Sequence, residues 1–273
     1  MIFMKKMTVF PTIALMVFLF GGLSGAGQRA AEPPRGPVLT VLYDNYPFQD
    51  GCSADWGFAA LIEGLNQTIL FDTGTKGDIL IKNIDALKVD LKKVDLIFIS
   101  HDHGDHTGGL PAVFGRKTGI PVYIPSSANT TLPAEITRVG GRPIPVRDST
   151  EIFPGVLSTG DLGEAIHEQA MIIDSPRGSI LITGCAHPGI VSIVEKAKAV
   201  GKKDVWMVLG GFHLVNTSPA EVDKIVARFK ELGVQRVGAT HCTGDAAIGM
   251  FRKAFGPGFV ELGVGRKIEL GGR

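Results

Sequence analysis

Cysteine is scarce in this chain, with only Cys52, Cys185 and Cys242 among 273 residues. That number excludes a disulfide-built scaffold and leaves the fold to a hydrophobic core, for which a 44% apolar content is ample. Charge of one sign is also missing. Twenty-eight basic residues stand against 27 acidic ones, a formal net charge of +1, so nothing points to nucleic acid or an anionic membrane surface as a partner. No low-complexity linker or short repeat divides the chain. No P-loop or GxGxxG segment is present to cradle a phosphate, and no flavin-binding segment is evident.

What is present begins with a marked N-terminus. MIFMKKM carries Lys5 and Lys6, and TVFPTIALMVFLFGG follows as an apolar run broken by Pro11. GLSGAGQRAAEPP then offers small residues at Ser24 and Ala26, or Ala30 after Gln28. This order reads as a secretory signal peptide over residues 1–30, cleaved near 26–31. The competing reading is an uncleaved anchor, since the apolar run approaches the roughly 18–20 residues that a span needs. Cleavage after Ala26 removes both lysines and no acid, so +1 becomes −1. The expectation is an exported, periplasmic or extracellular protein. Residues 31–273 would form one domain with no stable membrane association, its oligomeric state unspecified.

Short apolar runs alternate with turns and helical stretches. Residues 38–44, 58–64, 68–74, 94–100, 121–125, 179–185, 204–211 and 235–242 read as strands, several rich in β-branched residues and closed by Gly or Thr. Residues 188–201 and 218–233 read as helices. The second opens on Ser218, Pro219 and Glu221, the pattern of a capping box with proline at the first helical position. The expected class is α/β, with helices packed outside sheets.

The chemistry concentrates at residues 99–109, ISHDHGDHTGG. His101 and His103 alternate just after a strand, so both imidazoles point the same way in extended backbone. Asp105 and His106 follow, and Gly108 and Gly109 permit a tight turn. Imidazole nitrogen and carboxylate oxygen are the usual ligands of catalytic zinc. His187 in TGCAHPG, His213 in GGFHL and His241 in GATHCTG also stand at strand ends, and together with the cluster they suggest a convergent metal site. His167 in EAIHEQA does not fit that pattern and reads as a surface or loop residue. Cys185 and Cys242 each lie within two residues of such a histidine, so a disulfide between them is one expectation and two ordinary buried thiols the other.

The spacing H-x-H-x-D-H at His101, His103, Asp105 and His106 resembles the signature of the metallo-β-lactamase superfamily, and FDTG at 71–74 resembles its earlier strand-end aspartate. The resemblance implies a four-layer αβ/βα sandwich. It assigns His101, His103 and His187 to one metal position and Asp105, His106 and His241 to a second, with Asp72 orienting ligands from behind. LYDN, ALIEG, ILFDTG, SHDHGDHTGGL, EQA, TGCAHPGI, GGFHL and THCTG together look like the subfamily of dihydropterin–ribofuranosylaminobenzene phosphate synthase-like proteins. One departure stands out. The superfamily places a metal-bridging aspartate at the strand end that here reads GGFH, where His213 stands instead. His213 then ligates a metal, contacts substrate, or packs behind the site.

The implied activity is metal-dependent hydrolysis of a small ester-, lactone- or phosphate-containing molecule, because a zinc-bound water has its pKa lowered to about 7. Asp105 would hold that water or take its proton, and His213 would donate to the developing charge or leaving group. The expected cofactor is Zn2+, one ion or two, with Mn2+ or Fe fitting the same ligands. A synthase or transferase and a non-catalytic exported metal-binding protein are the competing classes.

Overall fold

The computed structural model describes residues 36–129 and 131–271, so the segment read as a signal peptide lies outside the described residues. A first sheet is built from β1 (Val38–Tyr43), β2 (Ala59–Glu63), β3 (Ile69–Phe71), β4 (Leu96–Phe98), β5 (Pro121–Pro125) and β6 (Arg142–Val146). A second sheet takes β7 (Thr150–Phe153), β8 (Val156–Ser158), β9 (Met171–Ser175), β10 (Gly178–Thr183), β11 (Val205–Gly211) and β12 (Arg236–Thr240). The chain then returns to the first sheet as β13 (Lys267–Glu269), antiparallel to β1. The spatial orders are β13-β1-β2-β3-β4-β5-β6 and β12-β11-β10-β9-β8-β7.

The central strands are apolar on both faces because both faces are covered. Ala60 and Ile62 of β2, and Ile180 and Ile182 of β10, enter the layer between the sheets with Phe71, Phe98 and Met207. Their alternating neighbours turn outward to helices. Leu61 of β2 meets the layer that holds Leu80 and Ile84 of α1 (Gly77–Ala86). After the short α2 (Gly104–Thr107), the same layer takes Val113 of α3 (Leu110–Phe114) and Ile136 of α4 (Thr131–Arg138). Leu181 of β10 meets Ile193 of α5 (Ile190–Gly201), Phe229 of α6 (Pro219–Glu231) and Phe251 of α7 (Asp245–Phe255). Helix, sheet, sheet and helix make the four-layer αβ/βα sandwich.

Helix α6 starts as its sequence predicts, on Ser218 with Pro219 at the first helical position. The cap is one-sided, however. Glu221 N donates to Ser218 Oγ at 3.3 Å, but the Glu221 carboxylate takes Lys224 Nζ at 2.9 Å instead of reaching back. Among the described residues, no helix is long and apolar enough to cross a membrane.

Candidate metal centre

Strands β3 and β4 run parallel, as do β10, β11 and β12, and the histidine-bearing loops all follow C-terminal strand ends. Asp72 follows β3, Ser100 to His106 follow β4, Cys185 and His187 follow β10, His213 follows β11 and His241 follows β12. The two sheets close on each other at Gly184, where an added Cβ would lie 2.0 Å from Ser100 Oγ and 3.1 Å from Asp72 Oδ2. Gly108 likewise allows the turn after His106 to lie backbone on backbone, since a Cβ there would stand 2.0 Å from Thr75 O. Of the six non-glycine residues with positive φ among those described, Asp72 (52°), Ala186 (63°), His213 (53°) and His241 (46°) belong to these loops. Such backbone persists where its surroundings impose it, and it gathers at functional sites.

Hydrogen bonds fix the tautomers of three imidazoles. The buried Asp72 carboxylate accepts Ser100 N–H, Ser100 Oγ–H and His106 Nδ1, each at 2.7 Å. Ser100 has one hydroxyl proton and gives it to Asp72, so the 2.9 Å contact with His101 Nδ1 must be donated by the imidazole. Asn45 Oδ1 accepts Gly57 N–H at 3.1 Å, which identifies that atom as oxygen, and His241 Nδ1 donates to it at 2.9 Å. In their neutral forms His101, His106 and His241 therefore carry the proton on Nδ1 and a lone pair on Nε2. A partner behind the ring that fixes the tautomer is the usual arrangement for a metal-ligating histidine.

The free nitrogens converge. His101 Nε2 lies 3.2 Å from His103 Nδ1. His106 Nε2 and His241 Nε2 lie 3.7 and 3.5 Å from Asp105 Oδ2, and 3.2 and 3.5 Å from Cys185 Sγ. One ligand atom from each of His101, His103 and His187 lies within 4.8 Å of the others, and the same holds for Asp105, His106, Cys185 and His241, and for Cys185, His187 and His213. Donors at the usual 2.0–2.3 Å from a tetrahedral zinc stand roughly 3.3–3.7 Å apart, so these side chains fit an ion. A second observation agrees: His187 Nε2 is buried without a hydrogen-bond partner, an expensive condition that a bound cation removes.

The electrostatics favour metal over protons at most of these positions. Burial, reinforced by the surrounding histidines, holds His101 well below the usual imidazole range, and burial beside His213 lowers His187 to about 4. Burial opposes a charge on His106 too, but Asp72 overrides it and raises that ring to about 9. Asp105 is also partly buried, yet its contacts with His241 and His106 keep it ionised well below the usual carboxylate range.

The residues singled out from the sequence are thus found together, but the neighbourhood holds more than they implied. Glu168, fully buried, accepts the backbone N–H groups of Cys185, Ala186 and His187 at 2.8–2.9 Å and so shapes the loop that carries two donors. Trp56 is half-exposed, gives its indole N–H to Asp105 Oδ2 at 2.8 Å and sits 5.1 Å from the His241 ring. Cys185 and Cys242 are free thiols, which removes the disulfide expectation. Cys185 instead faces the histidines, a role the sequence signalled only by its place at a strand end two residues before His187. His213 is exposed, its ring 4.3 Å from that of His187. His167 stays apart from the donor groups and pairs with Asp161 at 2.9 Å.

Residues 57–197 match the family model described as Metallo-beta-lactamase superfamily. The chain is 30% identical over 282 residues to 7,8-dihydropterin-6-methyl-4-(beta-D-ribofuranosyl)-aminobenzene-5'-phosphate synthase of Methanocaldococcus jannaschii, covering 85% of this chain and 96% of that protein. Among solved structures it resembles Tm1679, a metal-dependent hydrolase of the beta-lactamase superfamily, at 28% identity and a TM-score of 0.73 over 86% of this chain and 100% of that one. The metallo-beta-lactamase fold protein YhfI from Bacillus subtilis shares the fold at 16% identity and a TM-score of 0.64, over 85% of this chain and 99% of that one.

Proposed function

The chain belongs to the metallo-β-lactamase superfamily, and on that premise we propose that it is a metal-dependent hydrolase cleaving a small ester-, lactone- or phosphate-containing molecule. The observation that carries this reading is that His101, His103 and His187 form one donor group and Asp105, His106, Cys185 and His241 another, with His101, His106 and His241 held in the Nδ1–H tautomer and His187 Nε2 buried without a partner. His101, His103 and His187 would hold one ion, and Asp105, His106 and His241 a second. Zinc is the default for such ligands, with manganese or iron as the alternatives. Ions bound there would polarise a substrate oxygen and lower the pKa of a coordinated water.

The chain's own residues supply the rest. Asp72 and Ser100 hold His106 and His101 in their ligating tautomers. Asp105, kept ionised, accepts the proton or hydrogen bond of the attacking water. His213 stands exposed beside His187, where it can donate to the leaving group. Trp56 presents a half-exposed aromatic face next to Asp105 and His241, suited to a flat or apolar part of the substrate.

A second reading, a synthase of the kind named for the M. jannaschii relative, is supported by 30% identity over most of both chains. A non-catalytic metal-binding role is the third. The test loads chelator-stripped protein with zinc and assays it, beside His103→Ala, against ester, lactone, β-lactam and phosphodiester substrates and for that synthase activity. Hydrolysis lost on chelation and in the variant is expected. Synthase turnover alone favours the second reading, and no turnover of either kind overturns both enzymatic ones. We also propose export of the mature chain, on the strength of Lys5, Lys6 and the apolar run after them. N-terminal sequencing should then find a start between residues 27 and 32, whereas a chain beginning at Met1 in the membrane fraction refutes it.

A further inference from the structure

Cys185 is the donor that the histidine and aspartate pattern does not account for. Its sulfur is buried, yet polar atoms surround it: His106 Nε2 at 3.2 Å and His241 Nε2 at 3.5 Å. In the neutral forms that bind metal both nitrogens carry lone pairs, since both rings donate through Nδ1. One S–H can satisfy only one of them, so simple thiol packing leaves a buried acceptor unmet. The separations match the roughly 3.5 Å expected between sulfur and nitrogen donors on a tetrahedral zinc with bonds of about 2.3 and 2.0 Å.

The position has a second property. Among the described residues, Cys185 is the one side chain shared by the group containing Asp105, His106 and His241 and the group containing His187 and His213. It therefore stands near His187, a ligand of the first proposed position, as well as among the ligands of the second. The resemblance implies a carboxylate in that region from the end of β11, where His213, a side chain without negative charge, stands. Cys185 comes from the end of the neighbouring β10, and its backbone is held by the bond from its N–H to Glu168 Oε1 at 2.9 Å.

We propose that Cys185 supplies a thiolate ligand to the ion held by Asp105, His106 and His241, contributing from β10 the negative charge that β11 lacks. The proposal rests on the metal-centre reading above. On binding, the S–H bond breaks, a sulfur–metal bond forms and the proton leaves to solvent. A soft sulfur donor also biases that position toward zinc, cobalt or cadmium over manganese or magnesium. Cys242 provides the internal control. Its sulfur accepts His213 N–H at 3.3 Å and contacts the Cys185 carbonyl oxygen at 3.6 Å, and it belongs to none of the donor groups.

Chelator-stripped protein loaded with Co2+ alone tests this by absorption. Wild type and Cys242→Ser should show a near-ultraviolet sulfur-to-cobalt charge-transfer band. Cys185→Ser should lose that band while keeping the visible bands of cobalt bound to nitrogen and oxygen. Retention of the near-ultraviolet band in Cys185→Ser overturns the proposal. Cadmium NMR on the wild type is independent of how the variant folds. A resonance deshielded by sulfur supports the assignment, and resonances confined to the nitrogen–oxygen range refute it. If wild type binds cobalt without a charge-transfer band, Cys185 is excluded and the metal centre stands; if it binds no cobalt, the metal-centre reading itself fails.

Discussion

Asp72→Asn replaces one oxygen of a buried acceptor with an NH2 group where three donors converge, Ser100 N–H, Ser100 Oγ–H and His106 Nδ1–H. Whichever way the amide turns, a donor faces a donor. His106 can relieve the conflict by moving its proton to Nε2, which removes the lone pair aimed at Cys185 and Asp105. Losing the partner behind a ligating histidine weakens metal binding by about 10–100-fold, or roughly 1.4–2.8 kcal/mol. Competition with a chromogenic zinc chelator reads that change. The metal-free protein gives a second measure. Asp72 raises His106 to about 9 against its burial, from an unfolded value near 6.5. The native state then holds an extra proton between those limits. Its stabilising effect is complete below pH 6.5 and is lost as pH rises through 9, to an extent of about 3 kcal/mol at most. Urea unfolding of chelated protein should show this decline in wild type and a flatter profile in Asp72→Asn. A variant that binds zinc as tightly and keeps the same slope refutes the tautomer argument.

Glu168→Gln leaves one acceptor for three backbone donors. An unmet buried donor costs about 1–3 kcal/mol, so both the thermal midpoint of chelated protein and the zinc affinity should fall; an unchanged midpoint contradicts the role given to this carboxylate. Asp44 is buried, accepts the Thr240 hydroxyl, and is raised by burial to about 7. Its native pKa lies above the unfolded one, so its contribution is present at low pH and declines between about pH 4 and 7, by about 1.4 kcal/mol per pH unit. Wild type should accordingly lose stability relative to Asp44→Asn across that window, and parallel curves for the two proteins exclude a raised Asp44.

Much of the fold was legible because its central strands are long apolar runs. Strand β5 was read to the residue, and β1, β2, β10, β11 and β12 to within two. β9 and β13 lie outside the strands that the sequence pattern predicts, as do β6, β7 and β8, and for these last three the physical reason is visible. β6, RPIPV, carries prolines at 143 and 145, which a sequence reading rejects, yet it is the edge of its sheet, where proline is tolerated. β8 has only three residues, and β7 is largely exposed, so neither shows a period. In the site, His101, His103, Asp105 and His106 announce themselves by spacing. Ser100, Asn45, Glu168 and Trp56 do not, because a residue that orients a ligand is defined by its neighbours in space. Cys185 reads from sequence as half of a disulfide or as an ordinary buried thiol, since sequence shows that a thiol is near a histidine but not which atom it faces.

Ala186 lets backbone strain at this site be weighed directly. It sits between Cys185 and His187 at φ 63°, fully buried, with its N–H on Glu168 Oε1 at 2.8 Å. Left-handed backbone costs a non-glycine residue about 1–2 kcal/mol. Glycine at this position would release that strain, but it gives up a buried methyl worth about 0.8 kcal/mol and gains unfolded-state entropy worth about 0.4–1 kcal/mol. The terms nearly cancel, and Ala186→Gly should change stability by less than about 1 kcal/mol. Ala197 is the comparison, equally buried in the same apolar layer but inside helix α5. There the methyl loss adds to the roughly 1 kcal/mol helix penalty of glycine, and Ala197→Gly should cost about 2 kcal/mol. Urea unfolding of the two variants, both treated with chelator, isolates backbone from metal. If they lose equal stability, Ala186 is not strained, and the loop carrying Cys185 and His187 is held by its contacts with Glu168 alone.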